Sequence, residues 1–178
     1  MSLFEHRHIV LMGVCGCGKS TVGAELSRAS GIAFLDGDDL HPAENVAKMR
    51  AGHALDDADR APWLAECGRR LATAEEGLIL GCSALTGRYR DMIRAHAAPA
   101  QPVFVYLHGT RATLRQRLGA RRGHFMPTAL LDSQLATLEV PAPIEAALTV
   151  SIENTSPALA AQVLTRLAGR GGSVARAA

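Results

Sequence analysis

Residues Gly13-Val14-Cys15-Gly16-Cys17-Gly18-Lys19-Ser20 read G-x-x-x-x-G-K-S, and Thr21 follows. The apolar run His8–Met12 stands directly before this stretch, and a helix-compatible run, residues 21–29, directly after it. Strand, glycine loop and helix, in that order, are the context a phosphate-binding loop requires. Glycine lets the backbone turn tightly and approach an anion, and consecutive N–H groups at a helix N-terminus then hold it. Gly13, Val14, Cys15, Gly16, Cys17, Gly18, Lys19, Ser20 and Thr21 are therefore the candidate nucleotide-binding residues. Lys19 is suited to the β- and γ-phosphates, and the Ser20 hydroxyl to a Mg²⁺ ion.

Outward from the loop, four further short apolar runs read as strands: residues 32–35, 78–82, 103–107 and 148–152. Each is nearly continuous, as expected when helices cover both faces of a parallel sheet. Helical stretches separate them. Lys19–Ser30 ends at Gly31. Residues 62–73 start on the signals Asp59 and Pro62 and place Trp63, Leu64, Cys67 and Leu71 on one face. Residues 111–121 follow the N-cap candidate Thr110, 127–138 open at Pro127, and 159–167 close the domain. The alternation predicts an α/β protein: a three-layer αβα domain over residues 1–168, with a five-stranded parallel sheet. Residues 169–178, rich in glycine and alanine, read as a flexible tail. Ligands in such sheets bind beyond the carboxyl ends of the strands, where each motif below falls.

The bulk composition narrows the classes. The chain has 178 residues, 48% of them hydrophobic and 20% charged, which suits one globular domain. A net charge of +2 gives no general case for nucleic-acid binding. No run approaches the ~18 apolar residues of a membrane span, and the N-terminus lacks the pattern of a signal peptide. Cys15, Cys17, Cys67 and Cys82 have no ligand spacing for zinc, and a bridge between Cys15 and Cys17 would be strained. All four read as reduced thiols of a cytoplasmic protein.

The second strand runs into Asp36-Gly-Asp-Asp-Leu-His-Pro42. Asp36 is suited to a Mg²⁺-bound water, and Asp38 to hydrogen-bonding or deprotonating an acceptor hydroxyl. The competing reading is an acidic turn that caps the helix starting near Pro42. His41 fits a substrate contact or a packing role equally well. Arg60, just before a helix, is suited to clamping a carboxylate bidentately, against a salt bridge to Asp57 or Asp59. Trp63 reads as a packing anchor rather than a sugar platform. Asn45, Lys48 and Met49 share a helical spacing, with Lys48 either lining the pocket or solvated. After the third strand, Cys82-Ser83-Ala84 is a turn small enough for a substrate to approach its N–H groups. Of Arg88 and Arg90, one is expected to meet substrate and the other to pair with an acid such as Asp91.

Arg115, Arg117, Arg121 and Arg122 lead into Gly123-His-Phe125. An arginine-rich helix end followed by a glycine hinge suits a mobile lid, around residues 115–127, that neutralises charge during phosphoryl transfer. The bland alternative is a basic solvated face. Arg117 and Arg121, one helical turn apart, are the catalytic candidates, and His124 a substrate candidate.

Together these segments resemble the gluconokinases, small-molecule kinases of the phosphate-loop class with a shikimate-kinase-like fold. The resemblance rests on Met12-Gly-Val with Gly-Lys-Ser-Thr21, Phe34-Leu-Asp-Gly-Asp-Asp-Leu-His-Pro42 and Asn45-x-x-Lys-Met49. It extends through Leu55-x-Asp-x-Asp-Arg-x-Pro-Trp-Leu64, Cys82-Ser-Ala-Leu85, Tyr89-Arg-Asp91, Gly123-His-Phe125 and Ser133-Gln-x-x-Thr-Leu-Glu139 with Pro141. It implies ATP- and Mg²⁺-dependent phosphorylation of D-gluconate to 6-phosphogluconate by a cytoplasmic homodimer. It also implies that Lys19, Ser20 and Thr21 serve ATP and Mg²⁺, that Asp38 and Arg60 serve substrate, and that Arg117 and Arg121 belong to the lid. On the same reading His41, Lys48, Ser83, Arg88, Arg90 and His124 are the further substrate-binding candidates, and Ser20 and Asp36 the metal candidates.

Two departures stand out. The family usually has serines where this loop has Cys15 and Cys17, which predicts sensitivity to oxidation. It usually has a lysine where this chain has Thr86, which predicts weaker gluconate binding unless Arg88 substitutes. The rival readings are a kinase of shikimate or another sugar acid, and a non-catalytic, redox-responsive nucleotide-binding module.

Overall fold

The computed structural model describes residues 7–120 and 128–174. In chain order the elements are β1 (His8–Met12), α1 (Lys19–Ser30), β2 (Phe34–Asp36), α2 (Ala43–Arg50), α3 (Asp57–Thr73), β3 (Leu78–Gly81) and α4 (Gly87–Ala97). Then come β4 (Val103–His108), α5 (Arg111–Gly119), α6 (Thr128–Thr137), β5 (Leu148–Ser151) and α7 (Ser156–Val174). Short 3₁₀ turns cover Gly37–Leu40 and Pro143–Glu145. All strand pairs are parallel, in the order β2-β3-β1-β4-β5. β1 therefore lies at the centre and delivers the phosphate loop to the middle of the carboxyl edge.

The near-continuous apolar strands are explained by two cores, one on each face of the sheet. Ile9 and Leu11 of β1, with Val105 and Leu107 of β4, point into a core shared with α1, α5, α6 and α7. Their neighbours Val10, Met12, Phe104 and Tyr106 point into a second core under α3 and α4. Alternate residues serve opposite faces, so every position is apolar. This is the three-layer αβα arrangement expected from the sequence.

The largest differences from the expected boundaries are in α3 and α7. α3 starts at Asp57 rather than near Pro62, because Asp56 and Asp59 form a reciprocal capping box, each side chain accepting the other's N–H at 2.8 Å. Pro62 falls inside the helix, which costs one intrahelical bond. α7 runs from Ser156 to Val174, through the glycines expected to begin a tail. Leu159, Ala160, Val163 and Leu167 are buried. Arg166 donates to the Thr149 carbonyl at 2.6 Å, and Arg170 to the Ala146 carbonyl. These ties hold the helix across Gly169, whose intrinsic penalty is about 1 kcal/mol.

Candidate active site

The chain leaves β1 at Gly13, whose φ of +141° disfavours any side chain. A Cβ there would lie 2.7 Å from the Leu107 carbonyl oxygen. Gly16, at φ +81°, backs onto α5, where a Cβ would come within 2.9 Å of Leu118 Cγ. Gly18 caps α1 without any side-chain partner for the first helical N–H groups. The motif thus brings the uncapped N–H groups of a helix N-terminus to the end of β1, an arrangement suited to an anion.

Lys19 folds back over the loop. Its Nζ donates to the carbonyls of Gly13 at 2.9 Å and Val14 at 3.3 Å. Ser20 Oγ donates to Asp36 Oδ2 at 2.6 Å. The two predicted metal candidates therefore meet, brought together because β2 ends beside the start of α1. One hydroxyl and one carboxylate match the sparse hard-oxygen protein donor set that Mg²⁺ takes. Among the described residues no cluster of three or more His, Cys, Asp or Glu offers a dedicated protein cage for a metal.

Asp36 also accepts the Asp38 N–H at 3.2 Å through Oδ1, so it caps the Gly37–Leu40 turn as well. The turn lies tight on the sheet: a Cβ on Gly37 would be 2.4 Å from the Gly81 carbonyl oxygen. Trp63 Nε1–H donates to the Gly37 carbonyl at 2.6 Å, and its ring stacks on His41 with centroids 4.1 Å apart. Trp63 is thus a buried packing anchor that sets the turn. Asp38 remains accessible to solvent, yet protein surrounds most of its carboxyl. That desolvation raises its pKa above the ordinary carboxylate value; Lys19 is the chief opposing influence. His41 is shifted the other way. Burial lowers its pKa, with Asp38 opposing and Arg60 reinforcing, so the neutral imidazole is favoured.

The remaining substrate candidates separate into two groups. Ser83 lies against the phosphate loop, its carbonyl accepting the Gly13 N–H at 3.3 Å. Arg60 pairs with neither Asp57 nor Asp59. Its Nη1 donates to the Leu55 carbonyl at 2.5 Å and lies 3.5 Å from the Tyr89 hydroxyl, with the guanidinium 5.7 Å from the Tyr89 ring centroid. Lys48 instead binds the capping box of α3, at 2.5 Å from Asp59 and 3.8 Å from Asp56. Arg88 pairs with Asp57 at 2.9 Å, and Tyr89 donates to the same carboxylate at 2.5 Å.

Arg90 departs from the sequence expectation. It is 1% exposed and grips both oxygens of Glu145, at 2.6 and 2.8 Å. Its Nη1 donates to the carbonyls of Ala84, Leu85 and Glu139 at 3.1–3.3 Å. All three guanidinium nitrogens are engaged in the interior, so Arg90 is no substrate ligand but a strut for the β3–α4 turn. That turn contains Ala84 at φ +43°, a strained conformation for a non-glycine residue. Asp91 pairs with Arg94. Thr86, where the resemblance leads one to expect lysine, caps α4 by accepting the Tyr89 N–H at 3.3 Å.

Arg117 lies beside the phosphate loop. It donates to the Ile152 carbonyl, and its Nη1 would be 3.5 Å from a Cβ on Gly18. Arg111 and Arg115 both pair with Asp132 of α6, at 2.6 and 3.5 Å. Arg121, Arg122 and His124 fall outside the described residues. No disulfide links Cys15, Cys17, Cys67 and Cys82. Cys17 is buried beneath the loop, so its thiol faces the core rather than the anion site.

Two contacts were not anticipated from sequence: Glu145 with Arg90, and Gln134 of α6 with the phosphate loop. Gln134 Oε1 accepts the Cys15 N–H at 2.6 Å, across 119 residues of chain. Each partner is an ordinary surface-type residue whose role appears only when distant segments meet.

The AAA domain family model matches residues 9–141. The gluconokinase of Gluconobacter oxydans (strain 621H) is 48% identical over 150 residues, covering 83% of each chain. Among solved structures, a gluconokinase from Sinorhizobium meliloti 1021 aligns with TM-score 0.82 and 44% identity, covering 92% of this chain and 94% of that one. A shikimate kinase from Acinetobacter baumannii, in complex with shikimate, aligns over 94% of this chain and 96% of its own. Its TM-score is 0.61 at 19% identity, a likeness of fold alone.

Proposed function

This chain belongs to the gluconokinase family, and from that premise we propose that it transfers the terminal phosphoryl group of ATP to the C6 hydroxyl of D-gluconate. The products are 6-phosphogluconate and ADP. One observation carries the reading to these particular residues: the acidic turn after β2 meets the phosphate loop, Ser20 Oγ lying 2.6 Å from Asp36 Oδ2. On this reading donor and acceptor machinery meet at the carboxyl edge of the sheet.

Lys19 exchanges the carbonyls of Gly13 and Val14 for the β- and γ-phosphates. Ser20 and Asp36 are the residues that would hold Mg²⁺, and the ion would supply charge neutralisation on the phosphates. Asp38 orients the C6 hydroxyl and takes its proton as the new O–P bond forms and the bond to ADP breaks. Its raised pKa brings it nearer the range useful to a base. Arg60 holds the C1 carboxylate through the guanidinium edge that Leu55 and Tyr89 leave open. Ser83 supplies the small turn against the substrate, Arg117 neutralises phosphate charge together with the lid residue Arg121, and His124 contacts the substrate. Positioning accounts for most of the rate.

The reading includes a homodimer in the cytoplasm, acting on a small molecule without nucleic acid or membrane. Among the described residues no helix is long and apolar enough to cross a membrane. The exposed apolar side chains of Val140 and Ile144, close together after α6, are consistent with a self-association surface. The test is coupled ADP release with Mg²⁺-ATP and D-gluconate under reducing conditions, beside shikimate and glucose. Selective turnover of gluconate is expected; turnover of shikimate instead, or of neither acid, overturns the assignment.

A further inference from the structure

Both helices that border the lid segment touch the phosphate loop. α5 does so by packing: Gly16 lies against Leu118 and the Leu114 carbonyl. α6 does so by a directed hydrogen bond, from the Cys15 N–H to Gln134 Oε1 at 2.6 Å. α6 is itself seated in the core by Leu131 and tied to α5 through Asp132. Gln134 is thus a half-buried side chain on a supported helix, aimed at the third residue of the loop.

The identity of the contact atom follows from chemistry. A backbone N–H only donates, so the carboxamide atom it meets is the oxygen. The amide nitrogen, bonded to the same carbon, is therefore next to the loop as well. Among the described residues it has no hydrogen-bond partner. Its two N–H donors stand beside the phosphate loop, while the oxygen is already committed.

We propose that Gln134 is a positioning residue for phosphoryl transfer, which fixes Cys15 through Oε1 and presents its amide N–H groups to the terminal phosphate of the bound nucleotide. The inference deepens the kinase reading and rests on it for its catalytic part. It makes α6 a reader of the γ-phosphate: ATP completes the hydrogen bonds of the carboxamide, and ADP does not. The coupling runs through the Gln134 side chain, whose Oε1 holds the Cys15 N–H at 2.6 Å.

The test uses nucleotide affinity first, independent of any acceptor. Gln134→Met keeps the shape and removes both functions; Gln134→Glu keeps the oxygen acceptor but replaces the donors with negative charge. Dissociation constants for ATP and ADP are measured by titration calorimetry, with melting temperature as a control. Gln134→Met is expected to weaken ATP about tenfold and ADP less than about twofold, the size of one or two lost polar contacts. Gln134→Glu is expected to weaken ATP further still, again sparing ADP. With D-gluconate, kcat falls in both variants while the KM for gluconate holds. Unchanged ATP affinity in both variants overturns the proposal. So does an equal loss of ATP and ADP with a lower melting temperature, which marks a purely structural contact. Wild-type protein that binds ATP more tightly than ADP through Gln134 but leaves gluconate unphosphorylated supports the phosphate contact and rejects the gluconate assignment instead.

Discussion

Arg90 and Glu145, 55 residues apart in the chain, form a two-pronged ion pair at 2.6 and 2.8 Å in the interior. The pair is the keystone of the β3–α4 turn. The same guanidinium takes the carbonyls of Ala84 and Leu85, and Glu139 closes the far side through the Gly87 N–H at 2.6 Å. A left-handed alanine persists only where its surroundings over-determine it. Here the over-determination comes from an arginine whose sequence position suggested substrate binding.

Glu145→Gln should therefore be costly. Arg90 holds the Glu145 carboxyl down at about 2, from an ordinary 4.5, with desolvation opposing. A depressed carboxylate pKa stabilises the fold above the unfolded value and loses that contribution as pH falls from about 4.5 towards 2. The side chain is only 13% exposed, so solvent screening is modest. The variant should lose roughly 3 kcal/mol at pH 7 by urea unfolding. The gap from wild type should narrow steadily below pH 4.5. A constant gap across that window would show that packing, not charge, is responsible.

Asp38→Asn should trade activity for stability. The Asp38 pKa is raised chiefly by desolvation, so folding disfavours the charged form at neutral pH. For a raised carboxylate the sign reverses: stability improves as pH falls through the folded pKa. Removing the charge should thus raise the melting temperature slightly while lowering kcat by about 10²–10⁴, the range for a lost general base. In the wild type kcat/KM should decline on the acid side with a midpoint above the usual range for aspartate. Unaltered kcat in the variant would remove Asp38 from the chemistry.

What could be read from the sequence was what lies close along the chain or at the shared carboxyl edge of the parallel strands. The loop 13–20 is contiguous, so its geometry follows from its own residues. Ser20 and Asp36 were legible because parallel strands all end at the same edge, and β2 ends beside the start of α1. Arg90 was not, since its partner lies in a short turn before β5 with no periodic signal. Nor was Gln134, which reaches Cys15 only after α6 folds back across the sheet edge. The start of α3 was obscured by Pro62, a strong local signal that the capping box of Asp56 and Asp59 outweighs. Gly169 misled in the same way: buried side chains and two arginine ties carry α7 through it.

Lys19→Ala should abolish turnover with little change in fold. The Lys19 ammonium touches only carbonyls of its own loop and lies 3.9 Å from the Cys17 sulfur. No ion pair is lost with it among the described residues. The expected result is a melting temperature within a few degrees of wild type and ADP release at the background rate. Measurable gluconate-dependent release would overturn the role of the loop.

Thr86→Lys tests whether this chain has exchanged substrate affinity for helix stability. Thr86 accepts the Tyr89 N–H and caps α4, a role lysine cannot fill because its side chain carries donors only. Losing such a cap costs about 1 kcal/mol. Tyr89 also holds Asp57 at 2.5 Å, and Asp57 holds Arg88 at 2.9 Å, so Arg88 is already committed to an acid and is a poor stand-in for a missing cation. A lysine at position 86 would restore positive charge beside the Ser83–Leu85 turn, where an anionic substrate docks on the proposed reading. The variant should therefore melt lower but show a several-fold smaller KM for D-gluconate, with the KM for ATP unchanged. Steady-state kinetics in both substrates, beside a thermal melt, separates the two effects. A lower melting point with no gain in gluconate affinity would mean that Thr86 is a cap alone and that Arg60 carries the carboxylate unaided.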